Sequence, residues 1–375
     1  MKIIQLIQKP QRRGAEIFAA QLSEQLRLAG NEVLLVSIFV GESDLPFYGK
    51  WIKLNRPIGY RFFDFKGWKQ FSRIVKDFNP DIIQSNAADT LKFSVFSKKL
   101  FGWKTSIIYR NANQMGDFIK GSFHRKFNQY LINNVSAVIS VSKASRANFH
   151  GTFGFPVRNS ISIPIGIDIS AIDKDLEREL KIALPPKFIL QIGGLVAEKD
   201  PMKMLKMFTQ FHKKHPTLHL IFMGSGPLKD ELEKQIEKED LMDMVHLVPT
   251  QTNIFPVLAR AQALVMPSKI EGLPGVILEA MYCGIPVVAY NVGGIGEVLT
   301  NEQTGWCVSA GDSEAFKKSI EEVLSLCPAD LERITSAAKA LVLKAYQIKN
   351  IADEFQRFYL EVSPVVHPNP SSLNL

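Results

Sequence analysis

Cysteine is scarce: Cys283, Cys307 and Cys327 are the only three among 375 residues. An odd count without metal-ligand spacing supports neither a disulfide framework nor a zinc module, and it points to buried thiols in a reducing compartment. Long apolar runs are missing as well. No stretch approaches the roughly 18 apolar residues of a membrane span, and the opening KIIQLIQKPQRRG lacks the long apolar core of a signal peptide. The expectation is a cytoplasmic chain, free to touch the inner face of a membrane from its own side. Histidine is sparse, seven in all and without close ligand spacing, so no metal site is expected. An apolar share of 46% excludes a disordered polymer, and the length favours two domains over one core.

Charge is present in quantity but unevenly. Residues 1–170 hold 24 Lys and Arg against 11 Asp and Glu, whereas the remainder holds 21 against 26. The basic half calls for an anionic partner. Its charges are interleaved with aromatics: Phe47, Tyr48, Trp51, Tyr60, Phe62, Phe63, Phe65, Trp68 and Phe71 lie among Lys50, Lys53, Arg56, Arg61, Lys66, Lys69 and Arg73. A nucleic-acid partner is not expected, since no nucleic-acid motif accompanies these residues. Two readings stay open, peripheral contact with an anionic membrane and an ordinary core with a charged solvent face. For 67–78 the spacing Trp68, Phe71, Ile74, Val75, Phe78 is a helical stripe, which assigns those side chains to a core.

Strand, turn, helix, strand occurs twice, first from Lys2 to Ser37 and again from Lys187 to Met223. This predicts an α/β chain of two Rossmann-like, doubly wound domains facing across a cleft. The boundaries expected are a first domain over 1–170, a charged linker over 171–186 ending in Pro185-Pro186, a second domain over 187–347, a helix over 348–362 and a disordered tail over 363–375. Asp173-Lys174-Asp175 sits in that linker and reads as a solvated run rather than a metal motif.

The densest chemistry lies in Pro267–Glu297, PSKIEGLPGVILEAMYCGIPVVAYNVGGIGE. Ala263–Met266 is a buried strand, and Val276–Cys283 is an apolar helix that stops at Gly284. Glu271 falls in the connecting loop and Glu279 about one turn inside the helix. Between them the unpaired N–H groups near Gly275 form an anion site, and Pro274 surrenders a donor the first turn leaves free anyway. A carboxylate accepts two sugar hydroxyls, so one Glu on each side of a diphosphate grips two different sugars.

Glu271, Glu279, the string Gly284-Ile285-Pro286-Val287-Val288-Ala289 and the turn Gly293-Gly294-Ile295-Gly296-Glu297 together resemble the retaining family 4 glycosyltransferases of two-Rossmann (GT-B) architecture. The resemblance implies transfer of a sugar from a nucleotide diphosphate sugar to a hydroxyl of a glycan or lipid-linked acceptor, as in polysaccharide or lipopolysaccharide biosynthesis, without a metal or other cofactor. It assigns Glu271 to the transferred sugar, Glu279 to the ribose and Lys199 to the diphosphate, with Glu271 and Lys199 as the catalytic pair. Gly14, Gly193, Gly194, Gly224, Gly226, Gly272, Leu273, Pro274, Gly275 and Val276 would line the donor. It also implies that 348–362 crosses back onto the first domain.

Two positions depart from the family pattern. Gly194 stands where an Arg is common, and Pro274 where a donor-bearing Gly is. Basic groups from the first domain, Arg12 or Arg13, are the expected substitutes. The first-domain histidine of the family is absent from Tyr109–Gln114, leaving Arg110 and Asn113 as possible contacts to the sugar. A sugar-nucleotide epimerase or hydrolase of the same fold, and a catalytically degenerate nucleotide-sugar binder, are the competing readings.

Overall fold

The computed structural model describes residues 1–179 and 182–363. Most of the tail reading, 364–375, therefore lies outside the described residues. The first sheet contains β1 (Lys2–Ile7), β2 (Glu32–Phe39), β3 (Lys50–Arg56), β4 (Ile82–Ser85), β5 (Ser106–Asn111), β6 (Ala137–Ser140) and β7 (Ser160–Ser162), all parallel, in the order β3-β2-β1-β4-β5-β6-β7. The second contains β8 (Phe188–Ile192), β9 (His219–Met223), β10 (Val245–Val248), β11 (Ala263–Met266), β12 (Val287–Tyr290) and β13 (Trp306–Val308), in the order β10-β9-β8-β11-β12-β13. Helices cover both faces of each sheet, which is why the central strands are buried almost throughout and read as apolar runs. In each sheet the strand order reverses beside the first strand. Such a switch point opens a crevice at the carboxyl ends of the strands.

The first domain carries α1 (Gly14–Leu28), α2 (Phe65–Phe78), α3 (Ala88–Phe101), α4 (Gly121–Ile132) and α5 (Lys143–Phe153). The helical stripe expected over 67–78 falls inside α2, which begins at the cap Asp64 and buries Trp68, Phe71 and Val75. After α6 (Ile169–Leu176) the second domain adds α7 (Pro201–His212), α8 (Lys229–Lys238), α9 (Phe255–Leu258) and α10 (Gly275–Tyr282). The stretch after Val308 is helical as expected: α11 (Ser313–Ser325), α12 (Pro328–Ala345) and α13 (Ile348–Val362).

The segment read as a linker differs from its expectation, because α6 (Ile169–Leu176) runs into its beginning. Asp168 caps that helix by accepting from Ala171 N at 3.1 Å, and Ile172 is buried. Asp173 is tied down too, accepting from Tyr282 Oη at 2.7 Å. The charged residues that suggested a solvated run form the outer face of a short amphipathic helix.

The two domains are joined at a crossing of two strands of chain. Ile167 N donates to Tyr346 O at 2.8 Å, and Ile348 N to Ile167 O at 2.9 Å. A side chain at Gly166 would collide with the Ile348 backbone, so that crossing needs glycine. From there α13 lies against α1, with the Phe355 and Phe18 ring centroids 5.9 Å apart. Its Tyr359 hydroxyl donates to Gln84 Oε1 at 2.5 Å and accepts from Gln5 Nε2 at 3.1 Å, deep under the first sheet. Burying those amides is tolerable only because each is paired.

Candidate active site

The loops that follow β8 and β11 flank the switch point of the second sheet, and they carry the residues singled out above. The loop 193–200 and the loop 267–275 are bound to each other three times. Lys269 N donates to Glu198 O at 2.8 Å, Lys269 Nζ pairs with Asp200 at 2.8 Å, and Lys199 Nζ donates to Glu271 Oε1 at 2.5 Å. The last pair is the deepest, with side-chain exposures of 24% for Lys199 and 6% for Glu271. Gln191 holds the same turn from below by donating to Lys199 O at 2.9 Å.

Around this pair the backbone is packed too closely for side chains. A Cβ on Gly224 would collide with Gly193 O, and one on Gly226 with Leu195 O. These two glycines, expected to line the donor, have a packing reason of their own: they let 224–226 press against 193–195. Gly193 adopts φ +153°. Gly194 differs, because a Cβ there meets nothing nearer than Val196 Cγ2 at 3.6 Å. The place where an arginine is common is sterically open.

Helix α10 begins at Gly275 with Pro274 as its N-cap and no side-chain cap. Its first N–H groups, Gly275 and Val276, are those an anion would meet. Leu273 turns inward, 7% exposed, and packs in the apolar cluster, so only its backbone remains near the loop. Glu279 folds back toward the same helix end, with Oε1 4.0 Å from the position of a Cβ on Gly275. Burial alone pushes its carboxyl up to about 7. The loop and helix thus place a paired carboxylate, an ammonium, an open helix terminus and a second carboxyl around one crevice.

The first-domain candidates divide. Arg13 is exposed at the start of α1, beside Gly14, which has open space around it. Arg12 is turned away toward Asp44 O at 3.3 Å. Arg110 is 2% exposed, stacked over the Phe18 ring at 4.2 Å, and burial drives its guanidinium down to about 10. It is covered by α1 and is not presented to the cleft; two residues after Ile108 on β5, it shares that residue's face, the one turned toward Phe18. Asn113 accepts from Gln114 N at 2.9 Å, half-buried one residue from a close approach of the two domains. There Gly272 faces Ala112 O so closely that a Cβ would collide with it.

Two side chains at this approach carried no role in the sequence reading. Gln114, with its amide oriented to match both neighbours, accepts from Gly293 N at 2.7 Å and donates to Asp117 at 2.8 Å. Glu297 crosses between the domains to Lys143 N at 3.1 Å and Ala144 N at 3.0 Å. Glu297 closes the Gly-Gly-x-x-Glu turn, so the motif marked the residue without revealing its partner.

Residues 12–171 match the model of Glycosyltransferase Family 4, and residues 173–350 match that of Glycosyl transferases group 1. The chain belongs to this glycosyltransferase family. Among curated relatives of this family member, a glycogen synthase of Mycobacterium tuberculosis is 26% identical over 66% of the chain and 60% of its own length. The Campylobacter jejuni N-acetylgalactosamine-N,N'-diacetylbacillosaminyl-diphospho-undecaprenol 4-alpha-N-acetylgalactosaminyltransferase is 24% identical over 60% of the chain and 62% of its own length. Another, an uncharacterized glycosyltransferase of Haemophilus influenzae, is covered over only 49% of its length. The chain therefore spans about half to three fifths of the curated relatives it matches. Among solved structures, Anabaena HepE in complex with UDP and glucose superposes with a TM-score of 0.79 at 20% identity, covering 95% of this chain and 98% of that one. A TarM variant of S. aureus, in complex with UDP and saccharide ligands, gives 0.76 at 13% identity, covering 96% and 99%. Both share the GT-B fold of this family member.

Glu279 makes stability depend on pH. Folding raises its pKa from 4.5 to about 7, so the linked stability is complete below the unfolded value and is lost as pH rises through the folded one. In urea titrations Glu279→Gln should match the parent near pH 4 and exceed it by roughly 2–3 kcal/mol at pH 8. A difference that does not change with pH would show that the carboxyl is not held up by burial. At Gly194 the open space allows an arginine, and Gly194→Arg should keep the parent melting temperature and raise donor turnover by roughly tenfold. Slower turnover in a folded variant would rule out a missing cation at that position.

Proposed function

We propose that this family member moves a sugar from a UDP-sugar to a hydroxyl of a glycan or lipid-linked saccharide, with retention at the anomeric carbon. The observation that carries the proposal is the Lys199–Glu271 pair at the open end of α10. The diphosphate would meet Lys199 and the Gly275 and Val276 N–H groups, and the charge left on it as the glycosidic bond breaks is stabilised by both. Glu271 would accept the hydroxyls of the transferred sugar and Glu279 those of the ribose. In a same-face mechanism the departing diphosphate takes the proton of the acceptor hydroxyl, so no protein nucleophile is required. Lys199 and the helix end supply the positive charge, and the proposal includes activity in the presence of a metal chelator. UDP as the nucleotide is supported by the complexes of HepE and TarM, and a lipid-linked acceptor by the Campylobacter relative.

Membrane contact is part of the same proposal, with lipopolysaccharide or polysaccharide biosynthesis as its setting. Among the described residues no helix is long and apolar enough to cross a bilayer. Just before α2, however, Phe62 is 75% and Phe63 71% exposed, and Phe123 at the start of α4 is 83% exposed. Arg61, Lys66, Lys69, Arg125 and Lys126 lie among them. All follow parallel strands at their carboxyl ends, on the cleft side of the first domain. Aromatic side chains ringed by cations suit an anionic bilayer surface.

Incubation with UDP-, GDP- and ADP-sugars should release nucleotide from the UDP donors chiefly when membrane lipid extract is added, and Glu271→Gln should lower that release at least a hundredfold while UDP binding persists. Release without extract, or isomerised donor, points to a hydrolase or epimerase; binding without turnover points to a degenerate binder. Co-sedimentation with phosphatidylglycerol vesicles should fall in Phe62→Ser/Phe63→Ser and with added salt. Equal sedimentation of parent and variant would remove the membrane face from the proposal.

A further inference from the structure

Glu297 belongs to the second domain by sequence and to the first by its hydrogen bonds. Both carboxylate oxygens are used: Oε2 accepts from Lys143 N and Oε1 from Ala144 N. These are the first two N–H groups of α5, whose own cap, Ser142, accepts from Ser145 N at 3.0 Å and leaves the two preceding donors unmet. A carboxylate is the group such an end favours.

The turn that carries Glu297 is also fixed to the donor loop. Gly294 N donates to Gly272 O at 2.5 Å, and the Gly293 α-carbon abuts Glu271 O so tightly, at φ +59°, that no side chain fits. From the first domain, Gln114 takes the Gly293 N–H at 2.7 Å. Gly272 in turn rests on Ala112 O. The turn 293–297, the loop 271–275 and the start of α5 are therefore one mechanical unit that spans the cleft.

We propose that Glu297 is a positioning residue that latches the first domain against the donor loop. Engaged, it sets the distance between Ala112 and Gly272 and thereby holds Glu271 opposite the acceptor side. Released, the two domains part at the Ile167–Ile348 crossing and the donor loop loses its brace. The inference rests on the reading of 271–279 as the donor site, and it adds that occupancy of that site and domain closure are coupled through one carboxylate. Glu297 acts through Glu271 and touches no reacting atom.

Removing a backbone donor tests this without touching the side chain of Glu297 or Glu271. Lys143 is the first residue of α5, where proline is well tolerated, and Ser142 before it is already extended at φ −158°, ψ 161°. Lys143→Pro deletes one latch donor while leaving the helix intact. We expect turnover of a UDP-glucose probe to fall roughly fivefold to tenfold, with an unchanged melting temperature. Glu297→Gln should fall similarly, and the double variant should be no worse than the weaker single variant, because both break one contact. Small-angle scattering should show the parent contracting on addition of UDP and both variants contracting less. Parent-like turnover and contraction in Lys143→Pro, or additive losses in the double variant, overturn the latch while leaving the donor site standing. A parent indifferent to UDP overturns the donor reading and the latch with it. Should Glu297→Gln fail to fold, Lys143→Pro alone decides.

Discussion

The ion pair between Lys199 and Glu271 is the constraint around which the rest of the second domain is arranged. It joins the loops that leave the two central strands, β8 and β11, at the point where the strand order turns back on itself. Neither partner is well placed alone. Removing one side of such a pair leaves a desolvated charge, a loss of about 3–5 kcal/mol when the pair is fully buried. Beside it 224–226 lies flat against 193–195, an approach that leaves no room for a Cβ at Gly224 or Gly226. In the proposed function the same pair would part on donor binding, Glu271 turning to the sugar hydroxyls and Lys199 to the diphosphate.

Electrostatics and packing divide the labour between the domains. The second domain supplies the open helix terminus, the ammonium and two carboxyls. The first supplies a rim on which Phe62, Phe63 and Phe123 stand out among cations. Between them close backbone approaches, Gly272 on Ala112 O and the crossing at Ile167 and Ile348, combine with side-chain contacts: Glu297 on the start of α5, Gln114 on Gly293 N and Phe355 on Phe18. The glycines of this seam leave no room for an added Cβ. Helix α13 completes it, carrying Tyr359 into the amide cluster of Gln5 and Gln84 under the first sheet.

Much of this was legible in the sequence. The apolar runs of β1, β8 and β11 and the stripe of α2 state their elements directly, and the string from Glu271 to Glu297 is distinctive enough to name a family. What was not legible is pairing across distance. Lys199 and Glu271 were assigned separate tasks because nothing in a linear order says that residues 72 positions apart touch. Arg110 was offered as a sugar contact because it lies in the segment where the family has a histidine; that it faces Phe18 under α1 depends on the packing of that helix on the sheet. The linker reading of 171–186 missed α6 because one buried isoleucine and one capping aspartate are a weak signal among seven charges. The packing of Gly224 and Gly226 on Gly193 O and Leu195 O was not legible either, because a turn shows its glycines but not what they lean on.

In the proposed function the crevice between 193–200 and 271–279 holds the nucleotide sugar, with Lys199 released from Glu271 to the diphosphate. A crystal structure with UDP-glucose bound tests it most directly. The diphosphate is expected at Lys199 and the Gly275 and Val276 N–H groups, the ribose at Glu279 and the hexose at Glu271. Nucleotide bound elsewhere, with the Lys199–Glu271 contact intact, would contradict it.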